Sequence, residues 1–334
     1  MSSNMTAGGQ VSRYLALFAL LFGAVAAKAD PLPSWNETET KASIIEFVES
    51  VTDSEADTFV PQEDRVAVFD NDGTLWAEKP VYFQFMFAMD RLKAMAKDDP
   101  SVLSSDVLKA AAEGDMGAVA QSGEKGLLEI IATTHSNLPV DAFQAEAGDW
   151  LTTATHPETG MLYTEMIYQP MLELLRYLRD EGFTTYIVSG GGVHFIRAFS
   201  EDAYNIPANQ VVGTTGKSHY EVVDGEPVVM KDPGIAFIDD KEGKPVAIDA
   251  HIGKRPIFAG GNSDGDFQML EWTTAGEGPR MAVIVHHTDA EREWAYDRES
   301  HVGRLERGLD EAGERDWLLI DMARDWERVW PRNP

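Results

Sequence analysis

The sequence predicts a mostly parallel α/β sheet with helices on both faces, plus a smaller all-helical insert. Short apolar runs rich in Val, Ile, Phe and Ala alternate with amphipathic stretches over most of the chain, the pattern of strands buried on both sides. Three of those runs stop abruptly in polar clusters: Asp70-Asn71-Asp72-Gly73-Thr74, Ser189-Gly190-Gly191-Gly192, and Asn262-Ser263-Asp264-Gly265-Asp266. Between the first and second clusters, residues 80–156 carry helical spacing and no convincing period-two strand. Parallel strands deliver their carboxyl ends to one edge of a sheet, so the three clusters are expected to converge there.

The chain opens with a different kind of segment. Arg13 precedes an apolar run over residues 14–27, and Ala27-Lys28-Ala29 gives a small-x-small pattern. Residues 1–29 therefore read as a secretory signal peptide, which predicts a periplasmic or secreted mature protein. The run falls short of the ~20 residues that a spanning helix needs, and no later run is long enough either. The sequence has no cysteine, so an exported form must draw its stability from its core rather than from disulfides. Acids outnumber bases 56 to 28, for a net charge of −28. Such a surface repels nucleic acid and anionic lipid, so no nucleic-acid partner is expected. The acids are spread along the chain, as on a solvated acidic face; adaptation to external salt is the sharper reading, because screening weakens self-repulsion.

The elements follow in order. Residues 40–51 form an amphipathic helix, and residues 66–69 the first buried strand. Helices are expected over 81–96, 101–120, 126–135 and 140–155. Residues 168–181 make a strong helix, with Pro170 at its start and Gly182 at its stop. A strand at 183–188 leads through the glycines to a helix over 193–204. A strand at 210–215, a hairpin at 218–231 around Asp224-Gly225, and an extended piece at 235–239 come next. Then come a helix at 244–252, strands at 255–259 and 281–285, a charged exposed helix at 291–298, a strand at 318–321 and a terminal helix at 325–330.

The chemistry sits at the strand ends. Asp70 and Asp72, two residues apart after a buried strand, repel each other and call for a cation or a shared proton. The glycine at the fourth position, after a strand, does not fit an EF-hand calcium loop, which has its glycine sixth and follows a helix. Ser189 and the glycines after it form a strand–turn–helix arrangement suited to an anion. Carboxylates from two strand ends make a hard, oxygen-rich site that suits Mg²⁺.

These clusters together resemble the motifs of the haloacid dehalogenase-like hydrolase superfamily, on its phosphoserine-phosphatase-like side. Asp70-Asn71-Asp72-Gly73-Thr74 meets the first motif, Asp-x-Asp-x-Thr, in full; Ser189 with Gly190 meets the second. Lys244 best meets the third, with Lys241 and Lys254 as rivals, and Gly261-Asn262-Ser263-Asp264-Gly265-Asp266 stands where the fourth has Gly-Asp-x-x-x-Asp. The resemblance implies a Rossmann-like core over residues 30–79 and 157–334, and a helical cap over 80–156. It implies a small phosphorylated substrate and Mg²⁺ as cofactor. Asp70 would be the nucleophile, Asp72 the acid and base, and Thr74 the residue orienting Asp72. Ser189, Gly190 and Lys244 would hold the phosphoryl group. Asp70, the Asp72 carbonyl, Asn262 and Asp266 would bind the metal, with Asp264 as a substitute. Asn262 departs from the usual Asp and offers a neutral oxygen. Glu78 lies near where the resemblance implies an acid for the substrate; a solvated Glu at a helix start is the alternative. Adjacent His286 and His287 should point to different sides. A phosphotransferase with the same intermediate, or a catalytically silent protein that holds a phosphorylated ligand, are the competing readings.

Overall fold

The computed structural model describes residue 1 and residues 29–332, so the predicted signal peptide lies almost wholly outside the described residues. The chain from Pro31 on is a single compact unit. Helix α1 (Glu39–Thr52) starts at Thr38, whose hydroxyl accepts from the Lys41 N–H, and buries Ile44, Val48 and Val51. Strand β1 (Val66–Phe69) follows, buried along its whole length. The insert then supplies α2 (Phe83–Asp98), α3 (Asp106–Glu113), α4 (Met116–Gln121), α5 (Gly123–Thr134), a two-residue strand β2 (Leu138–Pro139) and α6 (Val140–Leu151). The chain continues through α7 (Gln169–Asp180), β3 (Thr184–Gly192), α8 (Val193–Arg197), α9 (Ser200–Tyr204), β4 (Val211–Val223) and β5 (Glu226–Phe237). It closes with α10 (Gly243–His251), β6 (Phe258–Gly261), α11 (Phe267–Thr274), β7 (Met281–His286), α12 (Arg307–Glu311), β8 (Leu318–Asp321) and α13 (Met322–Asp325).

The sheet has eight strands in the order β2-β5-β4-β3-β1-β6-β7-β8. From β4 to β8 every pairing is parallel. The first strand lies at the centre, with Phe69 beside Ile187 on one side and Gly260 on the other. Apolar side chains therefore pack on both faces: Phe69, Ile187 and Phe258 belong to the core that includes α1 and α7, and Val68, Val188 and Ala259 to the core under α10 and α11. Beyond β4 the sheet turns antiparallel, and β5 pairs with β2 of the insert, Leu138 opposite Lys231. The insert has a small core of its own around Ala88, Leu92, Leu108, Ala111, Val119 and Ile130.

Several elements differ from the sequence expectation. The helix expected over 101–120 is broken at Gly114, which takes φ +79° and ends α3; its cap is Ser105 rather than Ser101. The expected 193–204 helix is two short ones. The separate strand, hairpin and extended piece between 210 and 239 are two long paired strands, tightly turned at Asp224 and Gly225, both at positive φ. Residues 291–298 are not helical: the Asp289 carboxylate takes the N–H groups of Glu291 and Arg292 in a turn, and Glu293 points inward. The last helix ends at Asp325, where it was expected to begin.

Phe258 sits in the core layer between the sheet and α1. It is fully buried on the strand beside β1, with ring centroids 5.5 Å from Phe69 and 6.1 Å from Phe47. Phe258→Ala is expected to cost about 3–5 kcal/mol of stability, read from urea unfolding. A loss well under 1 kcal/mol would mean that this layer does not hold the sheet.

Candidate active site

The polar strand ends meet at one end of a cavity of about 1050 Å³, lined there by Asp70, Asp72, Ser189, Lys244 and Asp266. Each residue arrives by a local rule. Asp70 is the first residue after β1, and its N–H is held by the Gly260 carbonyl at 3.0 Å. Gly73 turns the chain at φ +76°; a Cβ there would collide with the side chains of Asn262 and Glu78, so only glycine fits. Lys244 enters from the first turn of α10 and is fully buried.

Lys244 organises this end. Its Nζ donates to Asp70 Oδ1 at 2.7 Å, to Asp266 Oδ1 at 2.6 Å and to the Val188 carbonyl at 2.9 Å. The two carboxylates keep it firmly charged, although burial alone acts the other way. Rivals Lys241 and Lys254 are placed elsewhere; Lys254 pairs with Asp64 at the surface. Asp266 Oδ2 accepts the N–H groups of Asn262 and Ser263, so this side chain fixes both the lysine and the loop after β6.

Asp72 is oriented by Trp76, whose Nε1–H donates to Asp72 Oδ1 at 2.8 Å. Thr74, expected in that role, instead donates to Asn262 Oδ1 at 3.1 Å. Burial pushes the Asp72 carboxyl up to about 6, against the downward pull of the Trp76 hydrogen bond. Burial also pushes Asp70 upward, with the Asp266 charge adding to it and Lys244 opposing it. Ser189 is fully buried, and its Oγ accepts the Gly191 N–H at 3.1 Å; the Gly190 carbonyl is tied to Thr214 at 2.8 Å. Glu78 is neither solvated nor at a helix start. Its Oε1 accepts from Asn262 Nδ2 at 2.8 Å and from the Tyr296 hydroxyl at 2.7 Å, and burial holds its carboxyl well above the usual range.

The donor chemistry fits a hard divalent cation. Asp70, Asp72, Glu78 and Asp266 are packed together with Lys244 as their near cation; burial first, and the neighbouring carboxylates after it, raise Asp70, Asp72 and Glu78. Asn262 Oδ1 holds one hydrogen bond, and a carbonyl oxygen has a second lone pair to give. Among the described residues no three His, Asp or Glu side chains form a metal cluster by themselves, so the Asn262 amide and a backbone carbonyl must complete any shell. Asp264 is turned away, its carboxylate taken by the N–H groups of Glu306, Arg307 and Gly308.

Some supporting residues carry no legible signal in the sequence. His287 Nε2–H donates to the Gly73 carbonyl at 2.8 Å and its Nδ1 faces Glu293 Oε2 at 3.2 Å, while His286 faces Asp297, so the pair does point to different sides. Gln84, from α2, accepts the Gly192 N–H at 2.7 Å and meets His135, the residue after α5, at 3.1 Å, tying the glycine turn to the insert. Nothing in a helix-borne Gln announces that contact.

With this geometry in view, the comparisons with known proteins decide the family. A sequence model of the haloacid dehalogenase-like hydrolases matches residues 67–271. The chain belongs to that family. No curated protein matches it. Among solved structures, a conserved functionally unknown protein from Anaerococcus prevotii superposes with a TM-score of 0.52 at 15% identity, over 78% of this chain and 89% of that one. A protein of unknown function from Bordetella pertussis gives 0.47 at 17% identity, over 77% and 98%. A phosphoserine phosphohydrolase-like protein from Francisella tularensis gives 0.38 at 18%, over 75% and 98%. At these identities the likeness is one of fold.

One titration nearby can be checked on its own. Asp239 is buried beside the site, and burial pushes its carboxyl up to about 7 from the ordinary 3.8. The folded protein then holds this proton more tightly than the unfolded chain, so the group favours folding at low pH and its contribution falls as pH rises from about 4 to about 7. Asp239→Asn should raise the thermal midpoint at pH 8 and change it little at pH 4. Equal midpoints at pH 8 would contradict the assignment.

Proposed function

We propose that this member of the haloacid dehalogenase-like hydrolases is an exported, Mg²⁺-dependent phosphomonoesterase acting on a small molecule through an aspartyl-phosphate. The observation that carries the reading is the pair Asp70 and Asp72 at one end of a cavity, with Lys244 on the first and Trp76 on the second. Lys244 holds Asp70 Oδ1 by one charge-assisted contact and is itself anchored by a second, to Asp266. In the first step an Asp70 oxygen bonds to phosphorus and the bond to the leaving alcohol breaks. Asp72, protonated at its raised value, gives its proton to that leaving oxygen. In the second step Asp72, now ionised, takes a proton from water; the water oxygen bonds to phosphorus and the Asp70–phosphorus link breaks, restoring both carboxyl groups and releasing phosphate. Ser189 and the glycine turn hold phosphoryl oxygens, and Lys244 offsets their charge.

Asp70, the Asp72 carbonyl and Asn262 would hold Mg²⁺, with Asp266 behind them. When bound, Mg²⁺ supplies the positive charge that lets an anionic phosphate approach Asp70. The helical insert over 80–156 serves in this reading as a cap over the cavity, and Glu78 faces the leaving group. Residues 1–29 direct export, which N-terminal sequencing of the mature protein from culture would test: a start near residue 30 is expected, and an intact leader would overturn it.

The enzymatic reading is tested by phosphate release from a panel of small phosphomonoesters. Release should need Mg²⁺, stop with EDTA, and fall by about 10³-fold or more in Asp70→Asn, with the variant's unfolding midpoint intact. Equal release from the variant would overturn the mechanism. Acceptor alcohols that raise alcohol release without raising free phosphate would turn the reading toward phosphotransfer.

A further inference from the structure

The cavity is not uniform. One end is the acidic site just described. Further lining comes from the insert, α8 and the β4–β5 hairpin: Phe85, Ile131 and Phe143 of the insert, Phe195 of α8 and Ile238 after β5 make an apolar stretch of it, with Lys125 and Glu129 as charged members. Leu128 and Ile238 line the cavity while 43% and 56% exposed, a cost in water that a bound apolar group would remove. A serine-sized leaving group would leave most of about 1050 Å³ empty, and that volume lies at the top of the range of about 300–1,000 Å³ seen for small-molecule sites.

Lys231 lies in this wall, on β5. The residue is only 7% exposed, yet its ammonium has no carboxylate within ion-pair distance among the described residues. Asp232, next in the chain, is paired with His219 instead. Among the described residues the ammonium contacts neutral groups: His194 Nδ1 at 3.1 Å, and the Phe143 ring with its centroid at 4.4 Å. Both imidazoles nearby are held uncharged, His135 pushed down to about 3 and His194 to about 4, chiefly by burial and then by Lys231 itself. Burial alone pulls the lysine down, to about 8. In a chain with twice as many acids as bases, a buried, cavity-facing cation without an acid is a conspicuous debt. A ligand anion settles it with a charge-assisted hydrogen bond.

We propose that the substrate is an elongated phosphomonoester with an apolar middle and a second anionic group, and that Lys231 binds that second group away from Asp70. This rests on the phosphomonoesterase reading. The second anion is a carboxylate or another phosphate; both satisfy the same ammonium.

The test is a matched series: phosphate monoesters of ω-hydroxy fatty acids of graded length, their carboxyl methyl esters, and the corresponding diol bisphosphates. The wild type should favour the anion-ended member of each pair over its methyl ester by about 10- to 100-fold in kcat/KM at the best length. Lys231→Met should bring that ratio near one, and Lys231→Arg should keep most of it. Whether carboxylate or bisphosphate gives the larger ratio names the second anion. A wild-type ratio near one for both, with turnover intact, overturns the inference and leaves the phosphomonoesterase standing. No turnover of any ester overturns the phosphomonoesterase instead. The inference is then decided by calorimetric binding of the non-hydrolysable phosphonates to wild type and both lysine variants. Should Lys231→Met not fold, Lys231→Gln takes its place.

Discussion

The contact on which the rest of this molecule depends is the buried bridge from Lys244 to Asp70 and Asp266. It joins the end of β1 to the loop after β6 through a residue on α10, and it uses a third acceptor, the Val188 carbonyl of β3. A buried ion pair costs more desolvation than an apolar contact, so its value is not bulk stability. It fixes position. With Lys244 in place, the end of β1, β3 and the loop after β6 are tied together, and that loop is held by the other oxygen of Asp266.

Around that bridge the negative charge is in excess, and the excess is useful. Burial, with neighbouring carboxylates adding to it, pushes Asp70, Asp72 and Glu78 toward their protonated forms, and the cluster makes the pocket receptive to a hard cation. Trp76 then separates Asp72 from its neighbours by giving it a hydrogen bond of its own. Two carboxylates two residues apart thus meet different surroundings, one against a lysine and one against an indole, and can take different parts in proton and phosphoryl movement. The opposite polarity at Lys231 gives the same cavity a second pole.

Much of this was legible in the sequence because the central strands are short, wholly apolar and followed at once by polar clusters. Val66 to Phe69 and the Gly-rich ends at 189–192 and 260–266 announce both strand and site. What escaped is long-range. Thr74 looks like a partner for Asp72, but the turn at Gly73 carries it to Asn262, and Trp76 takes its place. Residues 291–298 have the charges of an exposed helix, yet Glu293 finds Tyr168 across the fold, with His287 beside it, and the segment stays irregular to let it. The reach of the β4–β5 hairpin to the insert, and with it the position of Lys231, depends on pairing with Leu138 and Pro139, two residues with no strand pattern of their own. Local composition sees none of these contacts.

The central claim is that Asp70 becomes covalently phosphorylated. The most direct test is acid quenching of enzyme mixed with a turned-over ester and Mg²⁺, followed by peptide mass spectrometry. The account predicts phosphate on the peptide that holds Asp70, lost in Asp70→Asn. Steady turnover with no phosphorylated peptide at any quench time, or with the label on another residue, would contradict it.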